Sequence, residues 1–141
     1  MCTAEQGMCN ADPDGLGVLS TIWDWLVQLN APAFAGHADW RVPTVAEMES
    51  LVDYVAPAPG IDSAFNRPSC GPTCTDVTSA ACSCTQPDPY WTATSDANGP
   101  PLAWVTDFLF DRTTPLAKSG LNVIYVRAVR GGLPATTAQT P

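Results

Sequence analysis

Basic residues are scarce in this chain. Lysine and arginine total 6 against 14 aspartates and glutamates, a formal net charge of −8 over 141 residues. Such a surface repels polyanions, which makes nucleic acid and anionic membrane poor partners, with no nucleic acid expected, and leaves cations and neutral ligands. Histidine is scarcer still. His37 is the only one, so a Ser-His-Asp or Cys-His catalytic set would have to use it. It sits in a Gly-His-Ala-Asp turn, where polar side chains commonly just bond the backbone. No apolar run approaches the roughly 18 residues of a membrane span. Met1 to Glu5 has neither the basic start nor the apolar run of a signal peptide. There is no internal repeat, and no paired-carboxylate hydrolase motif stands out among the acids.

What is present is a 45% apolar fraction, enough for one domain with a real core. There are also six cysteines in two groups, Cys2 with Cys9, and Cys70, Cys74, Cys82 and Cys84. So many in so short a chain point to an oxidising compartment. Neither group has the CxxC pairs or the nearby histidine of a zinc site, so disulfides are favoured over zinc. Cys2 is expected to pair with Cys9, and the second group to form two bonds of undecided pairing. Each would contribute roughly 2–4 kcal/mol to a segment with no hydrophobic periodicity of its own.

Residues 1–17 read as a loop. Thr21 and Asp24 are placed to cap a first helix, from about 18 or 22 to 30. Ile22, Trp23, Trp25, Leu26 and Leu29 line much of its surface, so it is expected to be substantially buried. Trp40 and Val42 alternate with Arg41 as in a short strand. Trp40 is expected in the core, and Arg41 against a carboxylate or carbonyl. Pro43 then stops the strand, and Thr44 with Glu47 has the spacing of a capping box. Val45, Met48, Leu51 and Val52 predict a second helix over 45–54. Residues 55–89 hold six prolines and four cysteines, a long stapled loop. Period-two alternation follows, with strands expected at 90–94, 102–110 and 122–130, a turn at 96–101 and a polar loop at 111–120. In the last strand Ile124, Val126 and Ala128 face one side, and Tyr125, Arg127 and Val129 the other. The domain is taken as 1–132, with 133–141 a disordered tail. The class is α+β: two helices packed on a small antiparallel sheet.

Several segments, in order, resemble one known family. They are Trp25 to Asn30, Phe34 to Thr44, Glu47 to Tyr54, Ile61 to Asn66 (like "IDPAF"), Tyr90 to Thr94 (like "YWSST"), Leu102 to Phe108 (like "LAWVVDF") and Tyr125 to Gly132. The match, over about 15–132, is to the Lcl C-terminal-domain family, named for a domain of a bacterial collagen-like adhesin. The resemblance implies a C-type-lectin-like fold and extracellular or cell-surface binding, including glycan adhesion, with no shared catalytic residues. Family members usually begin with a strand resembling "TGLMW", which has no counterpart here. Residues 1–17 replace it or it is missing. An unpaired edge at the last strand would invite homo-oligomer formation.

Three sets of residues are candidates for ligand contact. Asn10, Asp12 and Asp14 with Gly15 fit the first half of an EF-hand-type calcium loop, although Thr21 stands where the bidentate Glu belongs. An acidic turn before a helix reads the same way. Gln86-Pro87-Asp88 matches the sugar-binding tripeptide of galactose-type C-type lectins, but the Asn-Asp pair that completes that calcium site is absent, since residues 104–107 read Trp-Val-Thr-Asp. Asp96, Asn98, Asp107, Asp111 and Arg112 flank the middle strand, either as a binding surface or as solvated turns. The leading expectation is a secreted, periplasmic or surface-displayed module that recognises glycans without catalysis, requires no cofactor and takes calcium if any metal. The alternatives are a protein-ligand receptor of the hypervariable C-type-lectin-like kind and a formylglycine-generating-like enzyme. The latter would need reactive cysteines.

Overall fold

The computed structural model describes residues 21–66, 85–118 and 124–132. All six cysteines, the Asn10 to Gly15 segment and the tail lie outside them, as does the expected disulfide stapling. The elements run α1 (Ile22–Asn30), a 3-10 turn (Phe34–Gly36), α2 (Val45–Glu49), β1 (Pro89–Asp96), β2 (Gly99–Asp107) and β3 (Arg112–Ala117). The strands form one antiparallel sheet in the order β1-β2-β3. No helix among the described residues is long and apolar enough to cross a membrane.

Both helices start at capping boxes. Thr21 Oγ1 accepts from Asp24 N at 3.1 Å, and Asp24 Oδ2 accepts in return from Thr21 N at 3.3 Å. Thr44 and Glu47 make the same exchange at α2. Helix α1 is less buried than its composition suggests. Ile22 is fully buried, but Trp23, Trp25, Leu26 and Leu29 are half-buried and Val27 is exposed. Six apolar positions in eight residues wrap too far round a helix to share one face. Helix α2 stops at Glu49, short of the expected Tyr54. Leu51 N and Val52 N fall back to three-residue bonds with Met48 O and Glu49 O, and Val52 then bridges to Ile61. A tertiary backbone pairing overrides helical periodicity there.

The sheet buries both faces. Trp91 pairs with Val105 and Tyr90 with Thr106. Neighbours in a strand point to opposite faces, so the core divides in two. One cluster holds Ile22, Val42, Trp91, Ala103, Val105 and Ile124, with Val126 packed against it. The other holds Met48, Ile61, Tyr90 and Phe108, with Tyr125 against it.

Strand boundaries differ from the sequence expectation in three places. The first turn is only Ala97-Asn98, and Pro100 and Pro101 belong to β2. Strand β2 ends at Asp107, because its Oδ1 accepts from Leu109 N at 2.9 Å and turns the chain. Residues 112–117, expected as loop, are β3. Lys118 N donates to Pro101 O at 2.9 Å, so the even-numbered amides of β3 face β2. Pro115 therefore sits at an outward position of the edge strand, where a missing N–H costs no ladder bond and discourages pairing with another chain.

The described part of the last segment makes bridges rather than a sheet strand. Tyr125 exchanges backbone bonds with Pro89 and Trp91, and Val129 with Arg41. The Arg41 side chain reinforces that end. Its guanidinium meets both carboxylate oxygens of Glu47 and the carbonyl of Gly131, at 2.5–3.1 Å. A Cβ at Gly132, where φ is +82°, would meet Arg41 Nη2 at 2.6 Å, so the close approach requires glycine. Trp40 is half-buried, not core. It hangs on the 3-10 turn through Nε1 to Phe34 O at 3.0 Å.

Two predictions follow from this packing. Trp91→Ala empties a fully buried site on the first cluster and should lower stability by about 3–5 kcal/mol in chemical denaturation. Hydrogen bonds from Arg41, then from Thr44, hold the Glu47 carboxyl at about 2 against an ordinary 4.5. The folded value is the lower one, so this contribution is present above pH 4.5 and lost as pH falls toward 2. Glu47→Gln should lower Tm at neutral pH and flatten its decline across that window, read by thermal melts against pH.

Candidate binding site

Hairpin connectivity alone determines which turns can cooperate. The β1–β2 and β2–β3 turns lie at opposite ends of β2, whose nine residues span about 26 Å at the usual strand rise. The five loop residues read from the sequence are divided accordingly. Asp96 and Asn98 stand at one end, where Asp96 Oδ1 accepts from Asn98 N at 3.0 Å in a small polar turn. Asp107, Asp111 and Arg112 stand together at the other.

That second end is built on Phe108 and Gly60. Phe108 is buried edge-on against Tyr90, ring centroids 5.4 Å apart, and its carbonyl accepts from Gly60 N at 2.9 Å. Gly60 closes a loop that opens at Asp53, whose N donates to Gly60 O at 2.9 Å. A Cβ on Gly60 would lie 1.8 Å from Asp111 Oδ1. The 53–60 loop and the 108–112 turn therefore meet backbone against carboxylate.

Apolar side chains point outward from both pieces. Tyr54 is 71% exposed, Val55 93%, Leu109 43% and Phe110 62%. Phe110 is held by Arg112, whose guanidinium lies 5.0 Å from the ring centroid. Arg112 also approaches Asp107 Oδ2 at 3.8 Å. Asp111 adopts φ +49°, a left-handed conformation that Asp tolerates, and its buried Oδ1 has no hydrogen-bond partner. Asp53 Oδ1 accepts from Val55 N at 3.0 Å. Exposed aromatic and aliphatic side chains thus stand on two segments joined by the Gly60 N to Phe108 O bond, with Asp107 buried behind Arg112.

The other described cations have partners elsewhere. Lys118 reaches Ser95 Oγ, and Arg130 pairs with Asp39 at 3.4 Å. His37 Nε2 lies 3.0 Å from Arg130 Nη1, so the single histidine meets a guanidinium. Arg127 donates to Thr85 Oγ1 and lies over the Phe65 ring at 5.8 Å. Burial lowers the Arg127 pKa and raises that of Tyr90 beside it. Thr85 in turn donates to Phe65 O, so Arg127 ties both ends of the long loop to the core. In the lectin-like tripeptide, Gln86 N donates to Tyr90 OH at 2.8 Å and Asp88 is exposed. Among the described residues no group of three or more His, Cys, Asp or Glu is placed to hold a metal ion. The Asn10, Asp12, Asp14 calcium candidate lies outside those residues.

Sequence reading missed Tyr54, Gly60 and Phe110. Tyr54 was read as the end of a helix and Phe110 as the end of a strand. The available signal was Asp107, whose side chain commonly starts a turn.

The Gly60–Asp111 contact yields a test. Gly60→Ala should destabilise the protein by about 1–3 kcal/mol through overpacking. Asp111→Gly suits the positive φ and removes the obstructing carboxylate, so the double variant should recover most of the loss in a denaturation cycle.

Comparison with known proteins places this geometry in context. No curated protein and no solved structure matches the chain. The family model of the Lcl C-terminal domain matches residues 2–130, which takes in both helices, the whole sheet, the 53–60 loop and the 108–112 turn. The chain belongs to the Lcl C-terminal domain family.

Proposed function

We propose that this protein is an extracellular or cell-surface binding module with a C-type-lectin-like fold, which recognises glycans on the platform of Tyr54 and Phe110 and performs no catalysis. Family membership suggests a surface-associated domain. The observation that carries the glycan reading is the pair of exposed rings, Tyr54 and Phe110, on two segments tied together by the Gly60 N to Phe108 O bond. An aromatic face packs against the C–H face of a sugar ring, and carboxylates accept from its hydroxyls. Function on turns held by a sheet is the usual arrangement for binding domains. The reading requires no cofactor. Calcium, if used, would come through Asn10, Asp12 and Asp14.

The exposed aliphatic pair Val55 and Leu109 supports the second reading, a receptor for a protein ligand, because aliphatic side chains offer little to a sugar and much to an apolar protein surface. A glycan array run with and without calcium separates the two. Binding to at least one glycan class is expected, and Tyr54→Ala or Phe110→Ala should weaken it about fivefold each, near 1 kcal/mol per lost ring contact. No glycan bound under either condition would reject the glycan reading.

A further inference from the structure

We propose that Asn98 is a site of spontaneous covalent modification, where the side-chain amide is lost through a cyclic imide with Gly99 to leave aspartate or isoaspartate. Water is the co-reactant. This turn lies at the end of β2 opposite Phe110, so the site is independent of the glycan reading. The Gly99 backbone nitrogen, as it loses its proton, attacks Asn98 Cγ. The Cγ–Nδ2 bond breaks and ammonia leaves. Water then opens the imide at either carbonyl. Opening at Cγ restores the main chain with an aspartate. Opening at the main-chain carbonyl leaves isoaspartate, whose main chain runs through Cβ and Cγ. Either product sets a new carboxylate in the same short turn as Asp96.

Three features of the turn favour this chemistry. First, Asn98 is exposed and is followed by glycine. With no Cβ on Gly99, nothing beside the attacking nitrogen obstructs its approach to the side-chain carbonyl carbon. Second, the Asn98 side-chain amide has no hydrogen-bond partner among the described residues; it is the backbone N–H that donates to Asp96 Oδ1, at 3.0 Å. The other described asparagines are held. Asn30 Nδ2 donates to Trp40 O and its Oδ1 accepts from Trp40 N, both at 2.9 Å. Asn66 Oδ1 accepts from Thr85 N at 3.3 Å. Third, the hairpin is loosely paired here. Asp96 pairs with Gly99, but the register shifts between Ser95 and Asp96. Pro100 and Pro101, next in β2, carry no N–H to bond across the ladder. Such an end opens more readily than the central ladder, which lets the backbone bend into the imide.

The test is incubation of the full chain at body temperature and mildly alkaline pH, with the same chain in denaturant run in parallel. Proteolytic peptides are then weighed by mass spectrometry, and the Asn98 peptide is resolved by chromatography. In the native chain that peptide should gain the mass of an amide-to-acid conversion, split between two products of equal mass, at a rate within about tenfold of the denatured chain. Asn30 and Asn66 should stay unconverted in the native chain over the same period. Gly99→Ala should slow the reaction about tenfold or more. That variant is expected to fold, because φ at Gly99 is not positive and the added Cβ would meet Leu102 Cδ1, the far end of a flexible side chain, at 3.1 Å. Asn98→Gln, which would have to close a larger ring, should show no conversion in the same time. A native chain that stays unconverted while the denatured chain reacts overturns the proposal, because the hairpin then protects Asn98. Aspartate as the single product overturns the imide route. Conversion of Asn30 as fast as Asn98 overturns the selectivity that the turn is argued to confer.

Discussion

Arg41 holds together segments that secondary structure alone leaves apart. Its backbone exchanges both hydrogen bonds with Val129. Its guanidinium clasps Glu47 and the Gly131 carbonyl. One residue thus joins the extended segment before α2, the first turn of α2 and the end of the last segment. Glu47 serves twice, because the oxygen that accepts from Arg41 also closes the capping box with Thr44 N at 2.8 Å. Removing Glu47 would leave the Arg41 charge and the Thr44 N–H unpaired together, so the cost exceeds that of an isolated surface pair. With Val42 and Pro43 seated behind this clasp, Pro43 O accepts from Ala93 N at 2.8 Å and the helical half of the chain is registered on β1.

From that registration the rest of the molecule follows. Strand β1 is the element shared by both core clusters, through Trp91 on one face and Tyr90 on the other. Tyr90 carries the order outward: it stacks on Tyr125, meets Phe108 edge-on, and its hydroxyl accepts from Gln86 N. Phe108 anchors the β2–β3 turn, and Gly60 anchors the 53–60 loop to Phe108. The exposed platform is the far end of one continuous packed path that starts in the core. Its rings are surface groups, but the backbone beneath them is fixed by buried ones. A binding surface needs that rigidity, because ordering a mobile loop would cost affinity.

Legibility in the sequence varied with the physics behind each feature. The capping boxes at Thr21 and Thr44 were readable because they depend on residues three apart. Strands β1 and β2 were readable from alternation, as was the opposition of Ile124 and Val126 to Tyr125. Strand β3 was not, because Thr113, Thr114 and Pro115 read as loop and become strand only by pairing with β2. The end of α2 was missed for a similar reason. Nothing local stops a helix at Glu49, and the Val52–Ile61 bridge forms between segments the helix signal treats separately. The candidate loop residues were partly readable. Asp107, Asp111 and Arg112 do gather, while Asp96 and Asn98 stand at the other end of the sheet.

By itself the sequence determined the class of the fold, the helix starts, the two long strands, the acidic balance that disfavours polyanions and, through the order of its motifs, the family. These rest on local spacing and on composition, which do not depend on how the chain is packed. Tertiary structure alone decided that Tyr54 and Phe110 face solvent, that Arg112 supports a ring, that Asp111 Oδ1 is buried without a partner, and that Arg127 anchors the long loop. Each of these joins residues distant in sequence or turns on which face a backbone presents, and the packing of the two cores selects that face.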